Sequence, residues 1–354
     1  MKMLKKYTEV FSEMSNFSYY SNASHQEMPF IDDNVGRNFI KEQFKLGGKE
    51  NVFDLDFEFD KIRVNHTLST YTLGIILEPL FQLNHNLTIN YIPRNRKEPN
   101  FKYFWLLACL YHDYGYYVEN RKDVFDTKLQ LGDILDILLV EYNILDETKN
   151  LNYKRKTIEN YYKFCLEKHG FHNHGIVGGI LLYDRLWKNY LSKKKEAIRH
   201  GILNAENDDF IYKNLHWSKD HKIYYEIAAN AIISHNVWLS KDKDQDTDFK
   251  NYSLDELLST KKDRIKCYSL LGMLAICDTI EPVKFFNQFE PKCILEKIEL
   301  SISNYNKLIS LKIVDDCINP EHWFKKIMDL ETWTEVEVYK DDEFENILHI
   351  KLIK

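Results

Sequence analysis

Glycine and proline are scarce in this chain. Its 354 residues include only 12 Gly and 7 Pro, well below average shares of roughly 7% and 5%. That scarcity excludes a collagen-like polymer, long flexible linkers and a many-turned β-sandwich, and it favours a mainly helical body. Long apolar runs are missing as well. Segments such as 104–110 and 269–277 fall far short of the roughly 20 residues needed to cross a bilayer, so no transmembrane helix and no membrane partner are expected. At the amino end, Glu9 and Glu13 interrupt the stretch after Lys2, Lys5 and Lys6. A secretory signal needs an uninterrupted apolar run there, and the expected location is cytoplasmic.

No CxxC pair occurs among Cys109, Cys165, Cys267, Cys277, Cys293 and Cys317. Several lie in apolar helix-like runs, so buried thiols in a reducing compartment are expected rather than disulfides or a zinc ribbon. An excess of positive charge is also absent: 48 Lys plus Arg face 54 Asp plus Glu, a formal charge of −6. This argues against a general nucleic-acid coat and leaves only a local basic groove, through which a single strand remains a less favoured partner. The basic clusters at 94–97, 193–199 and 261–266 read as solvated surface. There is no internal repeat and no G-x-x-x-x-G-K-[ST] loop for nucleotide phosphates.

What is present reads as three regions: an N-terminal helical extension over 1–50 ending at Gly47 and Gly48, a helical domain over 51–290, and a small ββαββ appendage over 291–354. Apolar residues at three- and four-residue spacing predict helices over 65–83, 101–113, 127–145, 153–168, 173–191, 222–238 and 263–279, with Pro79 kinking or ending the first. The polar stretches 146–156 and 241–250 read as loops, the second as a mobile one. After Pro291, alternation predicts strands over 297–302, 308–314, 334–339 and 347–353, with a helix opened by Asn319 and Pro320 between the pairs.

The chemistry concentrates on the helical part. His112 and Asp113 end the very apolar segment 103–111, where an imidazole beside a carboxylate is unfavourable unless paired or bound to a metal. His66, His174, His235 and Asp278 each have apolar or small neighbours at helical spacing, so their side chains should point inward. Polar groups on the core stripes of several helices can converge on one point, as metal sites inside helical bundles do.

The order His66, His112 with Asp113, His174, His235, Asp278 resembles the HD superfamily of metal-dependent phosphohydrolases. Supporting segments are R-V-N-H-T-L-S-T-Y-T-L-G, Y-H-D-Y-G, H-G-I-V-G-G-I-L-L, A-I-I-S-H-N and A-I-C-D-T-I-E-P, and the resemblance covers about 65–280. It implies a mainly α fold, an HD-type helical bundle with the small α+β appendage. It also implies that His66, His112, Asp113 and Asp278 hold a first divalent metal, with Asp113 bridging to a second held by His174 and His235. Mixed imidazole and carboxylate ligation suits iron, manganese, cobalt, nickel or zinc.

The implied activity is hydrolysis of a phosphate ester or anhydride, of a nucleotide or cyclic nucleotide, by a metal-activated water. Arg63 and Arg185 are candidates to neutralise phosphate charge, and His172 is a candidate extra ligand or substrate neighbour, with His169 close by in sequence. One departure stands out: Tyr116 occupies the place where many family members carry Lys after the HD pair, and a phenol supplies no charge. The same ligand order resembles the mixed-valent diiron oxygenases of the superfamily, which is one alternative. A nucleotide-sensing regulatory protein is another, and homodimerisation follows from family habit.

Overall fold

The computed structural model describes residues 5–6, 61–82, 101–120, 125–126, 128–149, 151–212, 215–239, 243–260, 264–286, 288–315 and 317–353. The helix expected before Gly47 and Gly48 lies outside these residues, as does the Arg63 side chain. In chain order the elements are β1 (Lys5–Lys6), α1 (Lys61–Phe81), α2 (Phe101–His112), α3 (Tyr116–Asn120), α4 (Leu131–Ile137), α5 (Ile144–Glu147) and α6 (Arg155–Phe164). There follow α7 (His174–Arg199), β2 (Asp209–Tyr212), β3 (Leu215–Ser218), α8 (His221–His235), α9 (Lys243–Asn251), α10 (Asp255–Thr260) and α11 (Leu270–Ile280). The chain ends with α12 (Pro291–Glu296), β4 (Ile298–Ser303), β5 (Leu308–Ile313), α13 (Glu321–Asp329), β6 (Val336–Lys340) and β7 (Ile347–Leu352). The protein is thus mainly helical with a small C-terminal antiparallel sheet. Among the described residues, no helix is long and apolar enough to cross a membrane.

Two compact units divide the chain: residues 1–39, 59–109 and 259–354 form one, and residues 40–58 and 110–258 the other. The division falls inside α2, a single unbroken helix.

In the first unit the sheet order is β1-β4-β5-β7-β6, with every pairing antiparallel. Period-two alternation sends Leu300, Leu311, Leu348, Ile350 and Val338 to a buried face, while Ser301, Ser310 and His349 occupy the other. The four expected strands and the helix between them are present, and Lys5–Lys6 add an edge strand from the far end of the sequence. Asn319 accepts a hydrogen bond from the Glu321 N–H at 2.9 Å as α13 begins. Fully buried Trp323 fastens α13 to α11 by donating to the Thr279 carbonyl at 3.1 Å. Pro291 opens a turn of helix, α12, before the strands begin, as its preset φ allows. In α1 the chain continues two residues past Pro79 to Phe81, because a proline so near the end removes only one late hydrogen bond. The Trp105 ring of α2 lies directly over Gly74 of α1, where a Cβ would sit 2.0 Å from it, and its Nε1 donates to the Tyr71 carbonyl at 2.8 Å.

The second unit is organised along α7, whose 26 residues are buried for most of their length. Its small residues let neighbours approach closely: a Cβ on Gly179 would meet the Ala229 carbonyl oxygen of α8 at 2.6 Å. Toward the far end of α7, Trp187 and Tyr190 pack with Phe210, Tyr212 and Trp217 of the β2–β3 hairpin.

Two sequence expectations are corrected here. The single helix expected over 127–145 is two short ones, α4 and α5, separated by a turn in which Leu139 takes a positive φ of 54°. Asp184, fully buried on α7, accepts hydrogen bonds from the N–H groups of Glu141 and Tyr142 at 2.8 and 2.9 Å. Arg185 and Lys188 take the carbonyls of Leu138 and Leu139 at 2.7 and 2.6 Å. These side chains replace the helical hydrogen bonds that the propensity of the segment would have made. The mobile loop expected over 241–250 is helix α9: Asp244 and Asp246 favour its first turn, and Phe249 anchors it in the core.

Replacing Asp184 with Ala leaves two part-buried N–H groups without their acceptor and two cations without their carboxylate on α7. Urea denaturation should show a loss of about 3 kcal/mol, and an unchanged midpoint would refute this account of the 138–142 turn.

Candidate metal centre

Each unit contributes a set of polar groups buried in an otherwise apolar setting. In the first, the packing of α11 against α1 brings His66 to Asp278 and to the residues just beyond α11. His66 Nε2 lies 2.9 Å from Asp278 Oδ1, and its Nδ1 lies 2.6 Å from Glu281 Oε2. Glu281 is fully buried and also accepts from the Val283 N–H at 2.9 Å, which fixes its carboxylate against the ring. Lys284 donates to Asp278 at 2.6 Å. Burial opposes a charge on His66, but the Glu281 charge and the hydrogen bonds it donates to Asp278 and Glu281 outweigh that, and its pKa stands at about 9.

In the second unit the C-terminal end of α2 meets α3, α7 and α8. His112 Nε2 and His174 Nε2 lie 3.4 and 3.9 Å from the same oxygen, Asp113 Oδ1. The His235 ring stands edge-on to both His112 and His174, with centroids 5.7 Å away in each case. The close approach depends on glycine: a Cβ on Gly115 would fall 2.0 Å from the His174 carbonyl oxygen. Asn173 links the two histidine-bearing helix ends. Its Oδ1 caps α7 through the Ile176 N–H at 3.0 Å, and its Nδ2 donates to the Asn236 carbonyl, next to His235, at 3.2 Å.

The Nδ1 atoms of His66, His174 and His235 are each tied to an acceptor. His66 uses Glu281, His174 uses Glu119 at 2.9 Å, and His235 uses the Ile232 carbonyl at 2.5 Å. With Nδ1–H donated in this way, Nε2 is the nitrogen left to ligate a metal once it gives up any proton of its own, the arrangement that metal-ligating histidines adopt. Tyr116 stacks on His174 with centroids 3.8 Å apart and ring planes 16° from parallel.

In the second unit, His112, His174 and Asp113 form a buried group of two imidazoles and a carboxylate that could hold a metal ion, since such donors are otherwise unfavourable to bury.

Of the remaining sequence candidates, Arg185, His172 and His169 have partners of their own. Arg185 binds Asp184 and the Leu138 carbonyl, and it lies eleven residues along α7 from His174, about 16 Å away. Both nitrogens of His172 are engaged: Nδ1 accepts from Tyr162 Oη at 2.5 Å, and Nε2 donates to the Asp126 carbonyl at 3.2 Å. Burial, the main cause, holds its pKa below the ordinary value, so it is a neutral brace between segments. His169 packs against Phe164 and Phe171. The residues that sequence reasoning missed are Glu281, Glu119 and Asn173. Glu281 alone carried a signal, one turn after Asp278 and directly before Pro282.

Two outcomes follow. Gly115→Ala drives a methyl group into the His174 backbone, so it should destabilise the fold by about 1–3 kcal/mol and reduce metal retention in elemental analysis. In chelator-treated protein, His66 is raised from 6.5 in the unfolded chain to about 9 in the folded one. Its contribution to stability is therefore complete below pH 6.5 and is lost as pH rises through about 9. Urea midpoints measured across that window should fall in the wild type, and this component of the fall should be absent in His66→Gln.

No family model matches this chain, and neither does any curated protein or solved structure. The centre therefore stands on its own geometry, a buried His-His-Asp group that could hold a metal ion.

Proposed function

We propose that the protein is a metal-dependent phosphohydrolase of the HD type, acting on a phosphate ester or anhydride of a nucleotide or cyclic nucleotide. The observation that carries this reading is that the ligand candidates read from the sequence are gathered with one another within each unit, His66 with Asp278 in the first and His112, Asp113, His174 and His235 in the second. In that reading His66, Asp278, His112, Asp113, His174 and His235 would be the residues that hold divalent metal. Bound divalent metals would supply the Lewis acidity that makes a water nucleophilic near neutral pH and neutralises phosphoryl oxygens.

The chain's own residues do the positioning. Glu281, Glu119 and the Ile232 carbonyl hold the imidazole Nδ1 atoms, so each Nε2 is fixed before a ligand arrives. Such outer partners typically change metal affinity 10- to 100-fold. The ammonium of Lys284, beside Asp278, would add positive charge there for a phosphate.

The test is elemental analysis coupled to phosphate or nucleoside release from a nucleotide panel with added manganese. Wild type should retain transition metal and release product, and Asp113→Ala should lose both. Glu281→Gln should keep the fold while weakening metal binding about 10- to 100-fold. Full activity in Asp113→Ala would end the proposal. Metal retention with substrate-dependent oxygen uptake and no phosphate release would replace it with the oxygenase reading.

A further inference from the structure

A second constellation lies on the open face of the C-terminal sheet. Ser310 on β5 pairs in register with His349 on β7, and His349 pairs with Tyr339 on β6, so the three side chains form one row across three strands. Ser310 Oγ lies 2.8 Å from His349 Nδ1, and His349 Nε2 lies 3.0 Å from Asp341 Oδ2. The other oxygen of Asp341 accepts from the backbone N–H groups of Glu343 and Phe344 at 2.9 and 3.1 Å.

In the neutral imidazole those contacts assign the two ring nitrogens different roles. The hydrogen bond from His349, foremost, and those from the two backbone N–H groups hold the Asp341 carboxyl below the usual carboxylate range. A charged Asp341 accepts from Nε2–H, which leaves the Nδ1 lone pair facing the serine hydroxyl. Tyr339 packs on the imidazole with centroids 5.1 Å apart, restraining its rotation. A nucleophile within hydrogen-bond reach of a base that is itself oriented by a third group is the arrangement that activates serine.

We propose that Ser310 is a reactive nucleophile, activated by His349 and positioned through Asp341, and that it takes up acyl groups from small activated esters. In the step, Ser310 Oγ bonds to the acyl carbon while its proton passes to His349 Nδ1. The bond to the leaving alcohol breaks, and the alcohol departs with that proton, so the products are acyl-Ser310 and free alcohol. Exposed Tyr339 and Phe344 give the acyl chain apolar borders. β5 is paired on both sides, by β4 and β7, so its backbone N–H groups are spent in the ladders and offer no oxyanion donor. Uptake of one acyl group, rather than rapid turnover, is the consequence. A general base of this kind accelerates attack by roughly 10²- to 10⁴-fold.

The test treats chelator-stripped full-length protein with p-nitrophenyl acetate and maps the acetyl group by peptide mass spectrometry. Wild type should acquire one acetyl group at Ser310, faster than at other exposed serines, and Ser310→Ala should not. His349→Gln and Asp341→Asn should slow labelling by about 100-fold or more at unchanged circular dichroism, and Asp341→Glu should recover part of the rate. Equal labelling in a folded His349→Gln overturns the proposal. If that variant does not fold, mapping in the wild type decides: Ser310 labelled no faster than other exposed serines overturns it equally.

Discussion

The orientation of three imidazole rings is the constraint on which the candidate centre depends. A histidine buried in an apolar core is unfavourable unless both ring nitrogens have a use. Here Glu281, Glu119 and the Ile232 carbonyl each occupy one Nδ1, which turns each Nε2 toward a carboxylate or a neighbouring ring. The second set of partners thus decides what the first set can hold. Remove the Nδ1 acceptors and the same histidines would still be buried, but nothing would fix which nitrogen faces inward.

Backbone packing delivers those rings, and it does so through atoms that are absent. Gly115 and Gly179 permit separations from the His174 and Ala229 carbonyls that any side chain would forbid. Asn173 then ties the beginning of α7 to the end of α8, so two histidines from distant parts of the sequence occupy neighbouring helix termini. In the first unit, Trp105 over Gly74 plays the corresponding part for α1 and α2. The C-terminal sheet works differently: its side-chain row comes from strand register alone, with Ser310, His349 and Tyr339 placed by antiparallel pairing.

Much of this was legible in the sequence because burial and period coincide there. The alternating segments after Pro291 form strands, and the histidines and aspartates on apolar helical stripes meet one another inside each unit, His66 with Asp278 and His112 and His174 with Asp113. The corrections share a cause, which is long-range side-chain bonding. Asp184, itself on α7, breaks the helix expected over 127–145 by taking the N–H groups of Glu141 and Tyr142. Local propensity contains no trace of that contact. α9 was hidden because its charged composition resembles a loop, and only the burial of Phe249 distinguishes it. Glu281 and Glu119 escaped notice because an acidic residue near a helix end ordinarily marks solvent. The positive charge sought in Arg185 is held by Asp184 instead.

The central claim is that the Nε2 atoms of His112 and His174, with a carboxylate oxygen of Asp113, bind a metal ion. Anomalous diffraction at the manganese edge, from crystals of the full chain grown with manganese, tests it most directly. The account predicts an anomalous peak within bonding distance of those three atoms. A manganese-soaked crystal with no peak there, or with the imidazoles presenting Nδ1 instead, would contradict it.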